Sequence, residues 1–525
     1  MRLKDLAVVV LILAFIPGRA GSQERSAKTS APEASALNDA VQQLQVQVQQ
    51  LQTVVQELKS EAGRYRAETL QLRHELDLTR DRLDSFAGPG KPPSGALSAS
   101  TEAPAGTANA SGIQDHVRKL DEDVQMLSGK VDEQYQTKVE SASKYRVRLS
   151  GMVLMNLFSN SGYADHFEVP SVALPATESL TGGNTGGSFG ATIRQSQIGL
   201  EVYGPELAGA KTRGDFVADF FGEFPETVNG SSSGSIHVRT GTMRLDWSRT
   251  SVVGGVDNLF FSPAYPTSFA SLSVPAFSYS GNLWGWTPQL RVEHRLLSSD
   301  NSTLTISGGI LDPLTGETPS NEFLRTPGAG ESSRQPAYGT RMEWSHRVGS
   351  ELLTLGLGGY YSRQNWGFNR NVDGWAATTD WNVPMGKQFS VSGKFYSGRA
   401  IGGLGAGIGR STVFNGLLTD PATIVRGVRS TGGWGQFKFK PMAKLEFNFA
   451  AGQDDDNTGD LRGFNATTGY FAADLTRNRS EFANFIYRPR SNLLFSTEFR
   501  TLRTFEVDGT NQRANQLNLM MGVLF

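Results

Sequence analysis

The stretch QRANQLNLMMGVLF, residues 512–525, carries the pattern that decides the fold. Its apolar residues recur at every second position, at Leu517, Leu519, Met521, Val523 and Phe525. Because successive side chains of a β-strand point to opposite faces, this period predicts a strand with one apolar face. Such a strand, ending on an aromatic residue, is typical of a transmembrane β-barrel, whose closure satisfies all strand hydrogen bonds in lipid. Amphipathic terminal strands are also common in other folds, so the rest of the chain is needed to identify a barrel.

The composition is compatible with a barrel and excludes other classes of protein. The chain has 525 residues and a formal net charge of -1 at pH 7, so it lacks the basic excess of a nucleic-acid-binding protein. A mean hydropathy of -0.31 excludes a helical membrane protein but not a barrel, whose strands alternate. The sequence contains no cysteine, which excludes disulfides, Cys-ligated metals and Cys nucleophiles.

The N-terminal 20 residues have the features of a secretory signal peptide. Arg2 and Lys4 form a basic start, residues 6–16 are apolar, and Gly18-Arg19-Ala20 is a small-x-small cleavage site. We therefore predict a signal peptide over residues 1–20 and a disordered start of the mature chain over residues 21–36. The alternative, an N-terminal anchor helix, has too short an apolar run to span a bilayer.

A heptad pattern follows the signal peptide. Apolar residues from Leu37 to Phe86 alternate steps of four and three, which predicts an α-helical coiled coil over residues 37–87. Residues 88–112 are rich in Gly, Pro, Ser, Ala and Thr and predict a flexible linker. A second short coiled-coil segment is predicted over residues 113–144. Valine and leucine alternate along the early seam, which favours a two-stranded coil.

From residue 145 onward the period changes from 3.5 to two. About sixteen alternating segments can be marked between residues 145 and 525, and every second connection between them is short. Aromatic residues precede the short connections, at Trp247, Trp344, Trp381 and Tyr487. An outer-membrane barrel has this layout, with short periplasmic turns, long outer loops and aromatic girdles. We predict an all-β transmembrane barrel of about 16 antiparallel strands in the cell outer membrane, with the coiled coil in the periplasm.

Two hairpins resemble a known family. Residues 193–221, IRQSQIGLEVYGPELAGAKTRGDFVADFF, and residues 245–263, LDWSRTSVVGGVDNLFFSP, are similar to hairpins of the trimeric diffusion porins. Together with the coil, the chain resembles the DcaP-like subfamily of those porins. The resemblance implies a sixteen-stranded barrel, a homotrimer, and passive uptake of small hydrophilic solutes, often anions. The implied trimer conflicts with the dimer preference of the early coil, and we give the barrel layout more weight.

One departure from the family concerns the third loop. Residues 260–283 contain no Asp, Glu, Lys or Arg, whereas the third loop of general porins carries acidic residues opposite a basic wall. A loop of this composition offers hydroxyls and aromatic faces to the pore, which argues against a strongly ion-selective eyelet. The candidate constriction residues are Tyr265, Phe269, Phe277 and Tyr279. Because of these aromatic rings, a channel for saccharides is an alternative form of the porin function.

Strand parity predicts which charged side chains face the lumen. The pore-lining candidates are Arg146, Arg148, Asp215, Asp219, Arg244, Arg291, Glu293, Arg341, Glu343, Lys394, Lys438, Glu498 and Arg500. Charged rings of one sign set pore selectivity. The basic members Arg244, Arg291, Arg341, Lys394 and Lys438 are therefore expected to guide anions. The alternative is that Arg–Glu pairs two residues apart only tie the wall together.

No enzymatic motif has its required context, and we predict no catalytic residue, cofactor or metal. The G-x-S-x-G match at residues 230–234 lies in a polar loop rather than between a strand and a helix. Asp454-x-Asp456 starts like a calcium loop, but Asn465 stands where the bidentate Glu is needed. The predicted function is passive diffusion through an outer-membrane porin that contacts membrane lipid. The alternative is an anchor whose coil binds peptidoglycan or a periplasmic protein and spaces the membrane from the cell wall.

Overall fold

The computed structural model describes residues 146–176, 186–222, 226–227, 230–231, 234–299, 301–317 and 325–525. The predicted signal peptide, coiled-coil segments and linker lie outside these described residues. Within the described part of the chain, no helix is long and apolar enough to cross a membrane.

The described residues form a closed antiparallel β-barrel of sixteen strands, which confirms the predicted barrel. The strands are β1 (Arg146–Ser161), β2 in two segments (Gly187–Thr192 and Gln197–Leu207), β3 (Ala210–Asp219), β4 (His237–Asp246), β5 (Thr250–Asn258), β6 (Trp286–Ser298), β7 (Ser302–Leu311), β8 (Ala337–Val348), β9 (Glu351–Asn365), β10 (Asn371–Met385), β11 (Phe389–Arg399), β12 (Arg429–Met442), β13 (Leu445–Asp456), β14 (Leu475–Arg490), β15 (Leu493–Glu506) and β16 (Asn511–Leu524). Connections at one end of the barrel are short and those at the other end are long, as predicted.

The long loops contain short elements of their own. These are the two-stranded pairs Glu226–Thr227 with Gly230–Ser231 and Thr412–Phe414 with Val425–Gly427, the 3₁₀ turns Glu331–Ser333, Gly402–Leu404 and Gly407–Gly409, and the helical turn Thr458–Leu461. The third long loop, residues 259–285, is called L3 below, and the sixth, residues 400–428, is called L6.

The last strand shows why the sequence alternates. Leu517, Leu519, Met521 and Val523 point outward and are 42% to 51% exposed, whereas Asn518 faces the lumen and is buried. β16 pairs with β1 from Met152 opposite Leu524 to Ser161 opposite Asn515, and this pairing closes the barrel. An apolar outer face and a polar inner face are what a membrane barrel requires, because lipid surrounds the outside only.

Strand β2 is interrupted at residues 193–196. Both of its segments pair with β1, so the two count as one barrel strand. The break turns Arg194 inward, where its Nη1 lies 2.8 Å from Glu168 Oε2 of the first long loop. Arg194 also donates to the carbonyls of Phe220 and Gly222, so this ion pair holds two long loops against the barrel wall.

Candidate functional site

L3 folds into the barrel and lies along the wall formed by β9 to β16, with its tip against the break in β2. Near its start, Thr378 Oγ1 on β10 donates to the carbonyl of Phe261 at 2.8 Å. The ring of Phe261 stacks on Tyr360 with 5.2 Å between ring centroids. Both side chains belong to an apolar cluster inside the barrel, so the start of L3 is held by packing as well as by hydrogen bonds.

The two ends of L3 are joined by one lysine. Lys394 Nζ on β11 donates to the Ser262 carbonyl, to Asn282 Oδ1 and to the Leu283 carbonyl, each at 2.9 Å. The side chain is 1% exposed, so an ammonium group is buried with all three of its donors used. Lys394 points inward, as parity predicted, but L3 covers it.

The middle of L3 is anchored on the far wall by polar side chains. Gln195 Nε2 donates to the Ala270 carbonyl at 3.0 Å, and Gln195 Oε1 accepts from the Leu272 amide at 2.8 Å. Ser268 Oγ donates to Glu498 Oε2 at 2.6 Å. Since the loop has no charge of its own, Glu498 supplies the charge for the hydrogen bond from Ser268, whereas the Gln195 amide is a neutral partner.

Glu498 and Arg500 on β15 therefore lie beneath L3. Arg500 Nη2 is 2.7 Å from Glu498 Oε1 and also donates to Ser271 Oγ. Both side chains are at most 3% exposed. Together with Lys394, this pair holds the loop in place, and these three of the thirteen pore-lining candidates do not border the open lumen.

The free part of the lumen lies between L3 and the wall of β4 to β8. It contains a chamber of about 590 Å³. The chamber is lined by five arginines and three carboxylates, together with Tyr265, Pro263 and Phe260 on the L3 side. The charged residues are Arg244, Arg249, Arg291, Arg295, Arg341, Asp257, Glu293 and Glu343. Among the lining residues the arginines outnumber the carboxylates, while the loop side contributes only neutral groups.

Ion pairs connect most of these charges into a ladder across strands. Arg291 Nη1 lies 2.8 Å from Asp257 Oδ2, and Arg291 Nε lies 2.9 Å from Glu293 Oε1. Glu293 also accepts from Arg244 Nη2 at 2.7 Å, and Arg244 Nε lies 2.6 Å from Asp246 Oδ1. Each guanidinium is thus held in a fixed orientation, with part of its charge compensated by a neighbour.

Arg341 continues this ladder on β8. Its Nη1 lies 2.5 Å from Asp380 Oδ2 and its Nη2 lies 2.9 Å from Glu343 Oε2. Arg249 and Arg295 differ from the others, because both are exposed and neither forms an ion pair with any described residue. Arg244, Arg291 and Arg341 are paired with five carboxylates, two of which, Asp246 and Asp380, lie outside the chamber lining. The unpaired positive charge of the chamber is therefore that of Arg249 and Arg295, which parity reasoning did not select.

The remaining pore-lining candidates lie on other parts of the inner wall. Arg146 and Arg148 are exposed near the short-turn end of β1, where the Arg146 guanidinium lies 4.4 Å from the Tyr203 ring. Asp215 accepts from Thr242 on β4, and Lys438 Nζ lies 3.1 Å from Glu446 Oε1.

Asp219 is buried near the long-loop end of β3. It lies 3.1 Å from His237 Nδ1 and 3.6 Å from Arg239 Nη1. The Arg239 guanidinium also lies 4.6 Å from the Trp286 ring, so it is fixed on two sides. Counting by two from Arg244 assigns Arg239 to the outer face, but a register shift in the pairing of β3 with β4, between Val217 and Ala218, turns it inward.

The four aromatic candidates of L3 occupy different environments. Tyr265 borders the chamber, and its ring lies 5.0 Å from Lys394 Nζ. Phe277 is buried against the wall and stacks on Phe482 at 5.2 Å between centroids. Phe269 packs against the apolar cluster of β1 and β14–β16, and Tyr279 lies edge-on to Phe471 at 5.1 Å. Tyr265 is therefore the aromatic candidate that faces the basic wall.

L6 also enters the barrel, from the long-loop end, and the sequence pattern did not reveal this. The Leu404 carbonyl accepts from the Trp284 amide of L3 at 3.0 Å. Arg410 is fully buried, pairs with Asp456, and donates to the carbonyls of Ala472 and Leu475. The alternating glycines of residues 402–409 let the chain pack this closely, because a Cβ on Gly402 or Gly403 would collide with neighbouring backbone.

The chemistry available at this site is noncovalent. Arginines fixed by carboxylates can attract and orient anions, and the neutral L3 face can contact apolar or hydroxylated parts of a solute. Among the described residues, no group of three or more His, Asp or Glu side chains lies together in a way that could hold a metal ion. Asp454 and Asp456, which began the calcium-loop match, instead bind Tyr396, Ile408 and Arg410.

Comparison with known proteins finds similarity at the level of structure. No protein-family model and no curated protein matches the sequence. The outer membrane channel DcaP of Acinetobacter baumannii is similar with a TM-score of 0.54 and 15% sequence identity, over 74% of this chain and all of that one. An anion-selective porin from Comamonas acidovorans has a TM-score of 0.44 and 10% identity, over 73% of this chain and 100% of that one. The barrel therefore has the fold of the DcaP channel, as the resemblance of the sequence to DcaP-like porins predicted.

Proposed function

We propose that this protein is an outer-membrane porin that lets small hydrophilic solutes diffuse passively and favours anions. The observation that carries the proposal is the chamber of about 590 Å³ between L3 and the wall, with its five arginines and three carboxylates. The apolar outer face of the barrel supports a membrane location, with the short turns in the periplasm and the long loops outside. A homotrimer is part of the proposal, because trimers are expected of DcaP-like porins.

The preference for anions is assigned to Arg249 and Arg295. Both side chains are exposed in the chamber, and neither pairs with a carboxylate among the described residues. A unit charge about 8 Å from a permeating ion contributes about 0.5 kcal/mol in water, so two such charges change relative permeability by a few-fold. Arg244, Arg291 and Arg341 contribute less, since each is already paired.

The test is the conductance and reversal potential of the purified protein in a planar bilayer under a KCl gradient. Conductance steps in threes and a reversal potential of the sign expected for chloride would support the proposal. The double variant Arg249→Gln/Arg295→Gln should lower the chloride-to-potassium permeability ratio about two- to five-fold. Lys387→Gln, in an exposed turn outside the chamber, serves as the matched control. A folded, oligomeric barrel without conductance would refute a diffusion pore.

A further inference from the structure

Three arginines stand side by side on the outer face of the barrel, near the long-loop end. In the strand register, Arg503 on β15 lies directly opposite Arg479 on β14 and directly opposite Arg513 on β16. All three side chains are exposed. Their strand neighbours Leu502 and Ala514 are buried on the lumen side, so alternation places the arginine row outside.

This arrangement has an electrostatic cost. Side chains directly opposite each other on neighbouring strands have Cβ atoms about 4.5–5.5 Å apart, and like charges there are destabilising. Within the described residues, none of the three arginines forms an ion pair. Arg479 donates to Gln453 Oε1 at 2.7 and 3.1 Å, and Arg503 Nε donates to Asn511 Oδ1 at 2.9 Å. These neutral acceptors orient the guanidinium groups without neutralising them.

The next row on the same strands is built differently. Arg477 lies opposite Asp455 and donates to it from Nε at 3.0 Å and from Nη2 at 2.7 Å. The barrel can therefore supply a carboxylate to an outward arginine at this height. The row of Arg479, Arg503 and Arg513 has no ion-paired carboxylate among the described residues, although Glu481 lies one row below it on the same face. Three adjacent guanidinium groups therefore remain available to an anionic partner.

An apolar groove begins directly below the arginine row. Small residues at Gly435, Ala451 and Ala483 form its floor, and Phe437, Phe449 and Phe499 line its sides. Glu481 and Thr501, one row below Arg479 and Arg503, also border it. Its volume is about 600 Å³. An adjoining cavity of about 620 Å³ runs upward along Phe395 and Gly433 to Arg479, with Glu481 at its edge. Continuous space therefore connects a cationic row to a groove that fits hydrocarbon.

We propose that the arginine row and this groove bind one molecule of the phosphorylated glycolipid of the outer leaflet. Its sugar phosphates would lie on Arg479, Arg503 and Arg513, which donate to phosphate oxygens in a fork geometry, and one acyl chain would fill the groove. The row lies between the apolar belt and the long loops, at the depth where head groups meet acyl chains. The proposal rests on the outer-membrane location given above.

The experiment is a titration of the full chain, purified in lipid-free detergent, with hexa-acylated bisphosphorylated lipid A. Binding is followed by native mass spectrometry and by the thermal unfolding midpoint. The triple variant Arg479→Gln/Arg503→Gln/Arg513→Gln should bind lipid A at least about ten-fold more weakly than the wild type. The control Lys387→Gln/Lys440→Gln/Lys444→Gln removes the same charge from exposed positions at the short-turn end and should bind as the wild type does.

The single variant Arg503→Gln gives an independent test, because its thermal stability relative to the wild type should change in opposite directions without and with lipid A. Without lipid A it should unfold at the same temperature as the wild type or higher, because repulsion within the row is relieved. With lipid A it should gain less stability than the wild type does. This variant also serves as the test if the triple variant does not fold.

Three results would overturn the proposal. These are wild-type affinity of a folded triple variant for lipid A, equal affinity of the wild type for dephosphorylated lipid A, and equal affinity for phosphatidylglycerol. Conductance of the same preparations tests the porin function separately. Lipid A binding without conductance would refute the pore and support the lipid site. Conductance without lipid A binding would support the pore and refute the lipid site.

Discussion

Replacing Lys394 by methionine should release both ends of L3. Methionine has a similar length but no donor, so it removes three hydrogen bonds to L3 oxygens. Hydrogen bonds from a charged group contribute about 1.5–3 kcal/mol each, or about 5–9 kcal/mol for three. Burying the ammonium group costs several kcal/mol, which the methionine does not incur. We therefore expect the closed state of L3 to lose about 2–4 kcal/mol.

Hydrogen exchange measures this quantity directly. A loss of about 2–4 kcal/mol in local opening free energy lowers amide protection about 30- to 1000-fold. The change should be confined to residues 259–285 and should be accompanied by larger fluctuations of the single-channel current. Lys387→Met, in an exposed turn, is the matched control. If Lys394→Met kept wild-type amide protection across L3 in a folded barrel, the assignment of Lys394 as the residue that joins the two ends of L3 would be wrong.

Three further predictions concern the loops inside the barrel. Gly358→Leu should displace the start of L3 and raise conductance, because even a Cβ at this position collides with the Phe261 carbonyl. Asp456→Asn should cost about 3–5 kcal/mol of L6 stability, since it leaves the buried Arg410 without its carboxylate, and should expose L6 to proteases. Burial raises the pKa of Asp165 to about 6, against opposing hydrogen bonds from backbone amides, so the folded loop binds a proton more readily than the unfolded chain does. The first long loop should therefore become more protected from hydrogen exchange as the pH falls from 7 to 4, and Asp165→Asn should remove this dependence.

Each of these predictions has its own control. Gly349→Leu changes a glycine with no neighbour within 4 Å and should leave conductance unchanged, although its φ of 64° adds turn strain. Asp373→Asn, on an exposed side chain of β10, should leave L6 resistant to proteases. For Asp165 the direction of the pH dependence is the test. Amide protection of the first long loop that rises with pH would contradict a raised pKa of the Asp165 carboxyl.

The sequence predicts the barrel because alternation is a local property. The parity of β6 and β8 assigns Arg291 and Arg341 to the inner face, and both line the chamber. The positions of the short turns follow from the same pattern. It does not predict what lies over an inward residue. Lys394 and Arg291 both lie on the inner face of their strands. Lys394 is covered by L3, whose Ser262 is 132 residues earlier in the chain, whereas Arg291 borders the chamber.

Two kinds of feature escaped sequence reasoning for physical reasons. Arg249 lies in the turn between β4 and β5, outside both strands, so counting by two does not assign its face. Arg295 is different, because it has the parity of Arg291 and Glu293 and its inward face could have been predicted. L6 enters the lumen through contacts of Arg410 with β13 and β14, which are separated from it by 46 and 65 residues. Such contacts depend on closure of the barrel, which brings these strands together only in three dimensions.

The absence of charge in L3 has a consequence for how such a channel can change. On the function proposed above, L3 sets the width of the passage, whereas the arginines of β4 to β8 and of the β4–β5 turn set its electric field. The width and the field therefore reside on different parts of the chain. A substitution at Arg249 or Arg295 alters the field without touching the anchors of L3, and one at Lys394 alters the width without changing a lumen-facing charge. Evolution or mutagenesis could then change the width of the passage and its preference for ions separately.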